Sequence, residues 1–242
     1  MPLTPRIELD RPSAIVFDVD GTLYEPLWVR APILCRIVRA HATSPRAGVR
    51  LLRALRAYRA AQERLRAADV HVEEVGEGQL RLAADSAGMP VEELRRAVAR
   101  WMDEEPLALL SRAMRNGLQE FLEAARASSL PLGVCSDYPS APKLSAMGLS
   151  AYFDVTVSAQ DGEVQRFKPD PRGLLIAARR LGVAASSVIY VGDRPEIDAV
   201  AAARAGMRCV IVGRRRARRG RDAYACVSSF RAFAAALALA GS

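Results

Sequence analysis

Apolar positions along the chain fall into two textures. The first is a set of short continuous runs rich in β-branched residues, the mark of strands buried on both faces: Ala14–Asp18 (AIVFD, between Pro12 and Gly21), Leu132–Ser136, Val155–Val157, Val188–Gly192 and Arg208–Val212. Helical segments separate the last four runs, and this alternation predicts a parallel sheet with crossover helices. In DPRGLLIAARRLG, Asp170 suits an N-cap and Pro171 the first helical position. Leu174, Leu175, Ala178 and Leu181 then share one face, and Gly182 ends the helix. Pro195 and Gly206 bracket a second helix in the same way. Both helices start just after polar clusters, which places those clusters at strand-to-helix turns.

The second texture fills Glu25 to Arg112, which has no strand-like run and is dense in Ala, Leu and Arg. Val49, Leu52, Leu55, Tyr58, Ala61 and Leu65 recur every three or four positions on one helical face. Further helical patterns cover Pro26–Ala40 and Pro90–Asp103, with Gly76, Gly78 and Gly88 as breaks, and an Ala-rich helix is expected over Phe230–Ala240. The chain therefore divides into an α/β core, residues 1–24 and 113–242, and an all-helical insertion, residues 25–112.

Composition narrows the class. The 242 residues are 50% hydrophobic and 26% charged, enough for a core and an insertion. No stretch approaches the roughly 18 apolar residues of a membrane span, and MPLTPRIELDRPS lacks the apolar centre of a signal peptide, so a cytoplasmic protein without a membrane partner is expected. Cys35, Cys135, Cys209 and Cys226 are widely spaced without a CxxC pair, which argues against zinc and disulfides. Neither His41 nor His71 sits beside a nucleophile in a strand-turn-helix context. The net charge of +8 comes almost wholly from arginine, Lys143 and Lys168 being the only lysines. Arg214–Arg221 (RRRARRGR) has the charge to bind a phosphate backbone but no interleaved aromatics. A solvated loop is the favoured reading, and nucleic acid is not the expected partner. Arg50, Arg53, Arg56 and Arg59 likewise read as a solvated helix face.

Candidate chemistry begins at Asp18-Val19-Asp20-Gly21-Thr22-Leu23, at the C-terminal end of the first strand, where open α/β sheets bind ligands. Taken alone, Asp20-Gly21 is an ordinary tight turn. Three more polar clusters, however, fall at or beside predicted strand ends or helix starts: Ser136-Asp137, Lys168-Pro169-Asp170, and Gly192-Asp193 with Asp198. In this order, and with the strings DVDGTL, KPDP and GDRPEID, the constellation resembles the haloacid dehalogenase-like superfamily. Its four motifs are an aspartate pair, a Ser or Thr, a Lys and a final acidic pair, matched here over Ser13–Val212.

The resemblance implies a doubly wound α/β core of strand order 5-4-1-2-3 with a helical cap like that of phosphoglycolate phosphatase-like members. It implies a phosphatase acting on a small phosphorylated metabolite, with Asp18 as nucleophile and an aspartyl-phosphate intermediate. A phosphate dianion repels a carboxylate, so a cation must screen the attack. Mg²⁺ held by Asp18, Asp193 and the Asp20 carbonyl is implied, with Asp198 orienting a metal-bound water or Lys168. Ser136, Asp137 and Lys168 would bind the phosphoryl oxygens, Ser136 by its hydroxyl, nearby backbone N–H groups also donating and Lys168 by its charge. Family dehalogenases lack the second aspartate, because a halide leaves without a proton. Asp20 therefore reads as the acid that protonates an ester oxygen and the base that then activates water. The turn His41–Arg46 could contribute to specificity by the same resemblance, although a loop histidine and arginine are more often simply solvated. The rival readings are a phosphoryl transferase or mutase on the same core, and a non-catalytic anion- or nucleic-acid-binding protein.

Overall fold

A computed structural model describes residues 11–68, 74–213 and 224–239. His71 and the run Arg214–Arg221 lie outside the described residues. Six parallel strands, β1 (Ala14–Phe17), β2 (Leu132–Ser136), β3 (Val155–Ser158), β4 (Val188–Gly192), β5 (Arg208–Val212) and β6 (Ala225–Val227), form one sheet in the order β3-β2-β1-β4-β5-β6. Read from the other edge, this is the expected 5-4-1-2-3 with β6 added beside β5. The sequence pattern does not predict the sixth strand, which spans three residues and is half-exposed over two of them, so it lacks the continuous apolar run that marks the others.

Central position explains why β1 is apolar at every residue. It pairs with β2 on one side and β4 on the other, Ile15 lying opposite both Leu132 and Ile189. Successive side chains then serve opposite faces. Ile15 and Phe17 join a cluster with Phe121, Phe230 and Phe233 from α6 (Leu118–Ala127) and α10 (Phe230–Ala236). Ala14 and Val16 pack with Leu174, Ala177 and Ala202 from α8 (Arg172–Arg180) and α9 (Val200–Ala205).

The segment after β1 is helical, as expected: α1 (Pro26–Ala40), α2 (Pro45–Ala68), α3 (Val75–Ala87), α4 (Val91–Val98), a π-helical turn at Ala99–Glu104, and α5 (Leu107–Ala113). Gly88 ends α3 in a left-handed conformation, but Gly76 and Gly78 lie inside its first turns and break nothing. The helix α8 begins one residue later than expected, with Pro171 at the N-cap, and Asp170 just before it accepts the Arg172 N–H at 2.8 Å. Chain entry to and exit from the helical segment run side by side. Tyr24 and Met114 form an antiparallel bridge, flanked by Glu25 N–H to Ala113 O (2.8 Å) and Arg115 N–H to Leu23 O (2.9 Å). The Arg115 guanidinium donates twice to the Gly21 carbonyl, at 2.7 and 3.0 Å, and pairs with Glu25.

Candidate active site

All the polar clusters meet at the C-terminal edge of the sheet. Asp18 directly follows β1, Ser136 ends β2, and Gly192 ends β4. Lys168 arrives from the loop before α8 and is buried with Asp18 and Asp198. Its ammonium donates to Asp18 Oδ1 at 2.7 Å, Asp198 Oδ1 at 2.8 Å and the Tyr190 hydroxyl at 2.8 Å. Burial alone would discharge such a lysine, yet the two carboxylates hold its pKa well above the ordinary value.

Asp198 is positioned by backbone geometry. A π-helical turn, Pro195–Ala199, follows β4, and the Asp198 carboxylate folds back to accept the N–H groups of Asp193 (3.1 Å) and Arg194 (2.9 Å). Burial opposes ionisation there, but Lys168 and these donors outweigh it and keep Asp198 below the usual carboxylate range. Gly192 is required beneath it, since a Cβ at that position would come within 2.4 Å of the Asp198 carboxyl carbon.

Asp18 and Asp193 behave oppositely. Burial raises Asp18 to about 7, with Asp198 and Asp193 adding to the effect and Lys168 working against it; Thr22 donates its hydroxyl to the other Asp18 oxygen at 3.0 Å. Burial and the neighbouring Asp198 raise Asp193 to about 6. Among the described residues, nothing cationic pairs with the Asp193 carboxylate within salt-bridge distance, although one oxygen from each of Asp18, Asp193 and Asp198 lies within 4.8 Å of the others. Hard oxygen donors carrying surplus negative charge are what Mg²⁺ binds, so the residues present fit that ion. Asp198 spends its oxygens on Lys168 and backbone N–H groups, which leaves Asp18 and Asp193 as the carboxylate donors.

Asp20 brings the main departure from expectation. Lys143, from α7 (Ala141–Ala146), donates to both of its oxygens at 2.6 Å, and the Tyr24 hydroxyl donates at 2.5 Å. Burial pushes the other way, but Lys143 and Tyr24 hold Asp20 below its ordinary pKa. Asp137 also differs from a simple phosphate ligand. Its side chain accepts Arg66 from α2 at 2.6 Å and the Lys168 N–H at 3.1 Å, so the carboxylate is committed to a contact between the helical segment and the core. Ser136 is buried at the floor, where its Oγ faces the Tyr138 N–H at 3.4 Å.

These groups line a cleft of about 620 Å³ between the sheet edge and the helices. Arg30, Arg56 and Arg59 stand along it. The arginine face is solvated as expected, Arg50, Arg53, Arg56 and Arg59 all being exposed; Arg50 pairs with Glu93, while Arg56 and Arg59 border the cleft. Burial and the nearby Arg30 lower the Arg59 pKa. His41 and Arg46 do not line the cleft.

A buried nucleophile-competent carboxylate with a lysine and a second acidic pair, set at the edge of a doubly wound parallel sheet, defines a hydrolase class. The family model described as haloacid dehalogenase-like hydrolase matches residues 12–206, and the chain belongs to that family. It is 41% identical over 86 residues to phosphoglycolate phosphatase from Escherichia coli strain K12, covering 34% of this chain and 33% of the relative. The matched part thus spans about a third of that relative's length. Among solved structures, the magnesium-bound HAD-hydrolase YfnB of Bacillus subtilis has a TM-score of 0.67 at 13% identity, covering 94% of this chain and 99% of that one. The 2-haloacid dehalogenase of Pseudomonas syringae pv. Tomato DC3000 has 0.62 at 24%, covering 95% and 99%. Both structural likenesses concern the fold.

Proposed function

We propose that this protein is a Mg²⁺-dependent phosphatase that cleaves a small phosphomonoester through an aspartyl-phosphate on Asp18. The observation that carries this reading is the pairing of buried Asp18 with Lys168 at 2.7 Å while a second acid, Asp20, stands two residues on, facing the same cleft. A dehalogenase has no use for that second acid.

An Asp18 oxygen attacks phosphorus, the bond from phosphorus to the ester oxygen breaks, and Lys168 with Ser136 balances charge on the phosphoryl oxygens. Bound between Asp18 and Asp193, with the Asp20 carbonyl, Mg²⁺ would supply the positive charge that lets two anions approach. Asp20 hands a proton to the departing alkoxide, and later takes one from the water that opens the acyl phosphate. Lys143 and Tyr24 keep Asp20 ionised as it stands, the form suited to the second half-reaction. Its acid role requires the incoming phosphate to draw Lys143 away. The helices of residues 25–112 act as the cap over this chemistry, and a water-soluble location in the cytoplasm fits the reading. Among the described residues, no helix is long and apolar enough to cross a membrane.

Phosphate release from alkyl phosphomonoesters is the direct test. Asp18→Asn and exhaustive chelation should each abolish it. Asp20→Asn should slow it by roughly 100-fold or more and leave phosphoryl groups trapped on the Asp18 peptide. Turnover that survives Asp18→Asn would remove the covalent mechanism.

A further inference from the structure

The cleft is far from uniformly polar. Its floor carries Asp18, Asp20, Ser136 and Lys168, and the helical side adds an apolar set, Val29, Ile33, Ile37, Leu52, Leu55 and Trp101, beside the polar Arg30, Arg56, Arg59 and Gln62 of α1 and α2. A volume of about 620 Å³ falls within the roughly 300–1,000 Å³ typical of sites for sizeable organic ligands. A leaving group of two or three carbons would leave most of this gallery lined by apolar side chains against water.

The apolar character continues to the exterior. Leu34 both lines the cleft and is 48% exposed. Leu27 and Val38, on the same side of α1 at helical spacing, are 76% and 59% exposed, with Trp28 beside them at 72%. Leu34 thus joins the lining of the cleft to an exposed apolar strip on α1.

We propose that the substrate is an amphiphilic phosphomonoester, its phosphate on the Asp18–Lys168 floor and an alkyl body of several carbons along the α1–α2 gallery. The assignment rests on the phosphatase reading and goes beyond it by naming the leaving group. Unlike a small polar ester, such a substrate fills both halves of the cleft. Cations at the cleft, Arg30 and Arg59, draw in the phosphate end.

Two measurements on the parent protein with Mg²⁺ separate this assignment from the reaction itself. The first is kcat/KM for straight-chain alkyl phosphates of two to ten carbons. The second is calorimetric affinity for alkylphosphonates of the same lengths, which cannot be hydrolysed. Both should rise roughly fourfold per added methylene until the gallery is full, the increment expected for burying a CH₂ group. Leu55→Trp, whose larger side chain occupies the gallery, should flatten that dependence while melting cooperatively; Leu52→Phe provides a second variant should the first not fold. Esters turned over with no gain from chain length in either measurement would overturn the alkyl assignment and leave the reaction standing. Affinity that climbs with length while no ester is turned over would remove the reaction and keep the occupant.

Discussion

Among the described residues, no cationic side chain lies within salt-bridge distance of the Asp193 carboxylate, and its pKa is raised, which makes the metal-free protein sensitive to pH. Asp18 is raised to about 7 and Asp193 to about 6, both from an ordinary value of 3.8. A carboxyl raised on folding binds its proton more tightly in the native state, so its contribution is fully present below the unfolded value and is lost as pH rises through the folded one. In chelator, melting temperature should therefore fall between pH 5 and pH 8, and Mg²⁺ should restore it most at the alkaline end. A chelated protein as stable at pH 8 as at pH 5 would contradict the charge surplus assigned to this pair. At this scale, sequence made Asp18, Asp20, Ser136, Lys168, Asp193 and Asp198 legible, because each stands at or beside a strand end or helix start and the string around it is distinctive. Lys143 was visible only as one of two lysines. It reaches Asp20 across 123 positions of chain, a relation that no local pattern encodes. Tyr190 was hidden in another way: its neighbours make it read as a core strand residue, yet its hydroxyl sits on Lys168.

Among the elements, α2 has two roles that its periodicity only half discloses. Its buried face is Leu51, Ala54, Tyr58 and Ala61, shifted from the predicted stripe: Val49 is exposed and Leu52, Leu55 and Leu65 are half-buried, with only Tyr58 and Ala61 buried as expected. Its C-terminal turn carries Arg66, with a side chain only 7% exposed, which binds Asp137 and the Lys168 carbonyl at 3.0 Å. Removing one member of a buried ion pair strands the other, at a cost of about 3–5 kcal/mol. Arg66→Met should lower stability to urea by an amount near that range, and Asp137→Leu in the same chain should recover part of it. Additive losses in the double variant would mean that the pair is not coupled. Strand positions were recovered within a residue for all five predicted runs, because strands covered on both faces cannot be confused with amphipathic ones. The two π-helical turns were not legible. A single extra residue in a helical turn changes no hydrophobic period over so short a span, yet at Pro195–Ala199 it swings Asp198 beneath the Asp193 and Arg194 amides.

Across the whole molecule, the helical layer is attached where two chain crossings lie side by side at Tyr24 and Met114. Arg115 holds that junction to the Gly21 carbonyl, one residue beyond Asp20. Arg115 donates to neither Asp18 nor Asp20, so its removal need not disturb the chemistry directly. Arg115→Met should nonetheless change kcat and KM together, each by several-fold, as substitutions at closure points commonly do. An effect confined to thermal stability would show the junction to be passive. The layer is also tied to the core through α2, by Arg66 with Asp137 and by Glu63 with Arg194. Those ion pairs act as latches: swinging the layer about the Tyr24–Met114 junction has to release them, whereas the junction itself can stay closed.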